Sequence, residues 1–284
     1  MRILLMGAKG MLGSDMLRHW KPGELIPADS SEADIRDLSQ VRALVSRSRP
    51  DWIVLAAAYT DVDGSERNRE LAFAVNAAGA ENVSRVAAEN EARLFYISTD
   101  YIFDGNSSRA YEPGDVIHPL NVYGASKAAG EAAVQRHARQ WCIARTSWLF
   151  GAFGNSFPEK ILRAAEARPE LTVVSDQVGS PTFTVDLAAA IVQLIQSDAR
   201  GIIHITNSGS CSWYEFAREV LRQAHRDSVR VRPITTSEAA RPAVRPRYSI
   251  LSPTSLNQRG ITMRGWKEAV ADYLKDLRQA GKLT

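Results

Sequence analysis

The stretch RILLMGAKGMLGSDMLRHW, residues 2–20, decides the fold. An apolar run leads into Gly7, Gly10 and Gly13, and the pattern then changes to the helix-like MLGSDMLRHW. Strand, glycine turn and helix in that order open a nucleotide-binding βαβ unit. Glycines at such a turn let the backbone approach a pyrophosphate closely. The free N–H groups and positive end of the following helix favour the ligand's negative charge. The spacing is G-x-x-G-x-x-G and not G-x-G-x-x-G, so the glycines alone also fit a plain tight turn.

Working outward, the strand-like runs ELIPAD, WIVLAAA, RLFYIST and WCIARTS alternate with segments of helical pattern through residue 148. That alternation predicts an α/β fold, a Rossmann-type doubly wound parallel sheet with helices on both faces. WIVLAAA is apolar at nearly every position, as a central strand buried on both faces should be. Ligands bind beyond the carboxyl ends of such strands. The polar cluster Ser98, Thr99, Asp100 ends the RLFYIST run there, although the same residue types also cap turns. Asp29 follows the second strand, where an acidic side chain commonly bonds the adenine ribose.

In NVYGASKAAGEA, Tyr123 and Lys127 stand four apart in a segment of helical pattern, so both side chains share one face. A phenol with an ordinary pKa of about 10 works as an acid or base near neutrality only if its phenolate is stabilised, and a neighbouring ammonium does that. Tyr-x-x-x-Lys alone is also an ordinary surface pair. Its weight comes from the glycine turn and the Ser-Thr-Asp strand end upstream.

Those three features, in this order, resemble the extended short-chain dehydrogenase/reductase family. The stretches LAAAYTDVD, STDYIFDG, PLNVYGASKAAGE, RTSWLFG, SDQVGSPTF and GIIHITNSG resemble one branch of it, the dTDP-4-dehydrorhamnose reductases, over nearly the whole chain. The resemblance implies NADPH or NADH as cofactor and a dTDP-sugar as substrate. It assigns Tyr123, Lys127 and Thr99 to catalysis, with Lys127 lowering the phenol pKa. It assigns Gly7, Gly10, Met11, Leu12, Gly13, Asp29, Asp34, Ile35, Ala58, Tyr59 and Thr60 to the cofactor, together with Tyr123 and Lys127. Asp29 leans towards NADH, whereas Lys9, Arg18 and Arg36 are cations within range of a 2′-phosphate, so the preference stays open. Asn76 matches an asparagine behind the active site that supports a water path to the lysine. Asp100 and Trp148 match positions near the sugar, Trp148 as a ring against the hexose face. Some members hold Mg²⁺ between subunits, and Asp15, Asp186 and Asp276 fall near those places, which also allows a homodimer.

Three alternatives remain at this point. One is a reductase of another dTDP-4-keto-6-deoxysugar. Another is an epimerase or dehydratase, the latter disfavoured because Thr99 and Asp100 are followed by Tyr101 where an acidic pair is common. The third is a non-catalytic dinucleotide-binding subunit of the methionine adenosyltransferase type.

Composition, with 45% hydrophobic and 24% charged residues, is that of a soluble globular protein. The chain has 284 residues, enough for residues 1–150 as a Rossmann domain and 151–284 as mainly a substrate-binding lobe, with some segments returning to the first. The second part holds the helix-like VDLAAAIVQLIQS, the strand-like GIIHITN and the helix-like SWYEFAREVLRQAH, capped by Ser212 with Glu215 three residues on. ARPAVRPRYSILSPTSL is too rich in Pro and Arg to be an element, and Arg245 and Arg247 there suit a sugar-nucleotide diphosphate as well as solvent. A net charge of +3 gives no case for nucleic acid. No apolar run approaches the roughly 18 residues of a membrane span and no leader pattern is present, so a cytoplasmic location is expected. Cys142 and Cys211 lack metal or framework spacing and read as buried thiols.

Overall fold

The computed structural model describes residues 1–283. Six strands, β1 (Arg2–Met6), β2 (Glu24–Ala28), β3 (Trp52–Leu55), β4 (Arg93–Thr99), β5 (Trp141–Thr146) and β6 (Gly201–His204), form one sheet in the order β6-β5-β4-β3-β1-β2. Every pairing in it is parallel. The order reverses between β1 and β3, which opens a crevice at their carboxyl ends.

Alternation along the strands sorts their side chains into two cores. Ile3, Leu5, Val54, Phe95 and Ile97 point to one face, covered by Leu12 and Met16 of helix Met11–His19 and by Leu187 and Ile191 of helix Thr184–Gln196. Leu4, Met6, Ile53, Leu94 and Tyr96 point to the other, covered by Val41 and Val45 of helix Leu38–Ser48, by Val83 and Val86 of helix Gly79–Glu89, and by Val134 of helix Val122–His137. β3 is central and buried along its whole length, as its composition requires.

VDLAAAIVQLIQS and GIIHITN are segments of the second half that return to this sheet. The 13-residue helix lies along Met11–His19, and β6 pairs with β5. Met11–His19 has only nine residues, and the fully buried Leu187, Ile191 and Leu194 cover the rest of that sheet face.

Beyond the sheet, Phe150, Phe183, Phe216, Trp266 and Tyr273 build a separate aromatic core. Helices Phe157–Ala167, Trp213–Gln223 and Trp266–Gln279 enclose it. Ser212 and Glu215 form the expected capping box at the head of the second of these. Both cysteines are free and buried. No helix among the described residues is long and apolar enough to cross a membrane.

One close contact sets the position of the Val122–His137 helix. A Cβ on Gly130 would fall 2.3 Å from both the Asn76 carbonyl oxygen and the Tyr96 hydroxyl. Gly130→Ala should therefore cost about 1–3 kcal/mol by forcing the helix off the sheet. Urea unfolding at unchanged slope reads this directly, and wild-type stability in the variant would contradict the packing.

Candidate active site

The carboxyl ends of β1, β3, β4 and β5 surround one cleft. β1 delivers the glycine turn, with Gly7 at φ +96°, a value L side chains rarely adopt. A methyl on Gly13 would lie 2.2 Å from the Gly7 carbonyl oxygen, so the turn closes only with glycine there. Gly10 is the N-cap of helix Met11–His19 and has no side chain to satisfy the free N–H groups. These residues, with Met11 and Leu12, line the cleft beside Ala58, Thr60, Thr99, Asp100, Tyr123, Lys127 and Trp148. Asp29, Asp34 and Ile35 line a second hollow that meets the cleft at Gly7 and Gly10. One groove thus runs past the glycine turn from Asp34 to Tyr123, and its glycine cradle fits a dinucleotide.

Charge in the outer hollow is already paired. Lys9 from the glycine turn bonds Asp29, and that bond, with the Ser31 N–H, holds the Asp29 carboxyl well below its usual range. Arg36 holds Asp34 in the same way. The helix cap nearby is Asp37, which accepts from Ser39 and Gln40.

Tyr59 lines neither hollow. Its main chain is clamped by Asn76, which accepts from the Tyr59 N–H at 2.8 Å and donates to the Tyr59 carbonyl at 3.0 Å and to Ser126 Oγ at 2.9 Å. Asn76 sits in a π-helical turn, Ala74–Ala78, and its side chain spends its bonds on the loop after β3 and on the Tyr123 helix. Such turns recur at functional sites.

Asn121 caps the Val122–His137 helix, which puts Tyr123 in its first turn and Lys127 one turn on. Lys127 donates to the Ile97 carbonyl of β4 at 2.7 Å and lies over the Tyr96 ring at 4.1 Å. Burial pushes this ammonium down to about 7, against the charge of Glu131, which raises it. Burial likewise pushes the Tyr123 phenol up to about 12, with the Thr99 hydroxyl pulling the other way. Lys127 is not among the groups that move the phenol, whose direction is set by burial with the Asp100 charge adding to it, so the expected lowering by Lys127 is absent. Thr99 donates to Asp100 Oδ1 at 3.1 Å, and burial raises the Asp100 carboxyl to about 7. Ser98 Oγ, Asp100 Oδ2 and Thr146 Oγ1 are buried without a hydrogen-bond partner, and all three residues line the cleft.

The two loop arginines part company. Arg245 donates both ends of its fork to Asp63, at 2.9 and 2.8 Å, and is spent there, so it is not free for a diphosphate. Arg247 is exposed, has no ion pair among the described residues and lines neither hollow. Sequence reading missed Trp213, Thr146 and Ser147 in the cleft wall. The strand-end rule reaches the last two, at the end of WCIARTS. Nothing local marks Trp213.

A family model described as the RmlD substrate binding domain matches residues 1–279. The chain belongs to this family. It is 38% identical over 282 residues to the dTDP-4-dehydrorhamnose reductase of Mycobacterium tuberculosis, covering 96% of this chain and 92% of that one. It is 39% identical over 273 residues to a dTDP-4-keto-6-deoxy-D-glucose reductase of Streptomyces niveus, covering 95% of each. A crystal structure of dTDP-4-dehydrorhamnose reductase from Bacillus anthracis in complex with NADP superposes with a TM-score of 0.93 at 39% identity, over 97% of this chain and 99% of that one.

Of the three carboxylates to which the magnesium expectation points, Asp15 and Asp186 are engaged within the chain, and Asp276 lies close enough to Asp15 for its charge to act on it. Asp15 is fully buried and accepts from Thr184 Oγ1, while Asp186 is paired with Arg264 and bonded by Asn207. Among the described residues no three His, Cys, Asp or Glu side chains come together as metal ligands.

The Lys127 shift has a sign that can be tested. The folded-state value near 7 lies below the ordinary 10.5, so the unfolded chain binds the extra proton between those limits. Stability is lost as pH falls from 10.5 towards 7, and the loss is complete below that. Lys127→Met removes this cost, so its Tm relative to wild type should be higher at pH 7 than at pH 10. An equal Tm difference at both pH values would contradict a buried, depressed ammonium.

Proposed function

We infer that this protein is an NAD(P)H-dependent reductase that converts the C4 ketone of dTDP-4-dehydrorhamnose to the alcohol of dTDP-L-rhamnose. The observation that carries the reading is the convergence of Tyr123, Thr99 and Lys127 on one cleft that the glycine turn also lines. Membership of the RmlD family, and two full-length relatives bearing that reductase's name, support it.

Bound NAD(P)H supplies the hydride. Gly7, Gly10 and Gly13 hold its pyrophosphate at the head of the Met11–His19 helix, and Asp34 and Ile35 flank its adenine end. The chain's own task is to receive the negative charge that grows on the ketone oxygen. With its hydroxyl pushed up to about 12, Tyr123 carries its proton throughout the neutral range and delivers it to that oxygen. Thr99, whose hydroxyl turns from Asp100 Oδ1 to that oxygen when the sugar is bound, donates a hydrogen bond to it from the end of β4. Lys127 orients the nicotinamide ribose. Asp100 meets the sugar, and its buried, unpartnered Oδ2 suits a sugar hydroxyl. Exposed Arg247, outside both hollows, is left to attract the diphosphate as a surface charge. The NADP bound by the Bacillus anthracis relative favours NADPH. The Asp29–Lys9 pair leaves NADH usable, because it joins an acid for the ribose to a cation for a 2′-phosphate.

Tyr123→Phe should lower kcat by about 10²–10⁴ while dinucleotide affinity stays at the wild-type value. Loss of nicotinamide absorbance with dTDP-4-dehydrorhamnose prepared in situ is the measurement. Wild-type turnover in the variant would remove Tyr123 as proton donor. Turnover only with dTDP-4-keto-6-deoxy-D-glucose would move the assignment to the reaction named for the Streptomyces niveus relative.

A further inference from the structure

Trp148 stands in the cleft in an unusual state. Its φ is +48°, in the left-handed region that a residue with a large side chain enters only when its surroundings demand it. Three features hold it there. The Thr182 N–H donates to the Trp148 carbonyl at 3.2 Å, and Ser147 Oγ donates to the Ser180 carbonyl at 2.6 Å. The next residue, Leu149, pairs with Thr182. The indole is then received on two sides of the chain. Gly179 lies against it so closely that a Cβ would fall 2.6 Å from Cε2 and 2.7 Å from Nε1. Trp213 stacks on it, ring centroids 3.5 Å apart and planes 9° from parallel.

Trp213 comes from the first turn of a helix in the second lobe, whereas Trp148 lies two residues beyond the end of β5 of the main sheet. Phe157, 4.5 Å away, supports Trp213 from the aromatic core. Both tryptophans are only half-buried, and both line the cleft that holds Tyr123 and Thr99. A stack that served the core alone would be closed to that cleft.

We propose that Trp213 is a positioning residue of the nucleotide-sugar site, which with Gly179 fixes the Trp148 indole as a rigid apolar wall of the cleft. A rigid wall loses no side-chain freedom when the sugar binds, so its effect falls on substrate affinity and not on the cofactor. The proposal rests on the reductase reading above and deepens it.

The test compares wild type, Trp213→Ala, Trp213→Phe and Gly179→Ala. The readouts are kcat, KM for the dTDP-4-keto sugar, NADPH affinity and the exciton couplet that two stacked indoles give in circular dichroism. Trp213→Ala should raise KM about tenfold, the size of one lost aromatic pair, with kcat and NADPH affinity little changed. It should also abolish the couplet. Trp213→Phe should restore most of the KM, and Gly179→Ala should raise KM through a different residue by displacing the same indole. An unchanged KM in Trp213→Ala, or parallel losses of kcat and NADPH affinity that Trp213→Phe fails to restore, overturns the positioning role. A wild-type protein that binds NADPH and shows the couplet yet reduces no dTDP-4-keto sugar overturns the reductase reading, and this proposal with it.

Discussion

The cleft depends on how closely the Val122–His137 helix lies against β4 and its outlet. Two glycines set that distance: a Cβ on Gly124 would meet the Tyr101 carbonyl oxygen at 2.1 Å, and one on Gly130 would meet the Tyr96 hydroxyl. Because the helix is this near, Lys127 reaches the Ile97 carbonyl within the strand. Tyr123 enters the space at the end of the same strand, beside Thr99. A helix held farther out by alanine-sized contacts would leave the lysine in solvent and its pKa undisturbed. The perturbed titration of the site therefore follows from backbone packing.

Burying Lys127 carries a cost that a second buried charge partly offsets. Glu131, one turn further along the helix, receives both ends of the Arg145 fork at 3.0 and 2.8 Å, and neither side chain is more than 1% exposed. The negative charge of Glu131 opposes the desolvation of Lys127. Removing one member of a buried pair costs about 3–5 kcal/mol, since the other charge is left without a partner. This pair ties the Val122–His137 helix to β5, so sheet, helix and lysine form one electrostatic unit.

Much of this was legible along the chain because its periodicities are local. A two-residue alternation needs no partner to be seen, and all five strands read from the N-terminal half are present, with β3 central. The glycine turn and the Tyr123–Lys127 spacing are also short-range, and the structure brings them to one groove with Thr99. Sequence leaves a role open where it depends on what a residue meets far away. Arg245 looks like a phosphate ligand until Asp63, 182 residues earlier, takes its fork. Asp186 looks like a metal ligand until Arg264 pairs with it. VDLAAAIVQLIQS looks like part of the lobe that follows it in sequence, yet it completes the cover of the first sheet.

By itself, then, the sequence determined the strand and helix periods, the glycine turn that admits a dinucleotide and the one-face placement of Tyr123 and Lys127. These are properties of φ/ψ limits and side-chain spacing over a few residues. Tertiary structure alone decided which charges are free, which are paired and which titrate near neutrality, because desolvation and Coulomb energies depend on neighbours that no local window contains. It also decided that Trp148 meets Trp213, residues 65 apart in number whose rings are 3.5 Å apart in space.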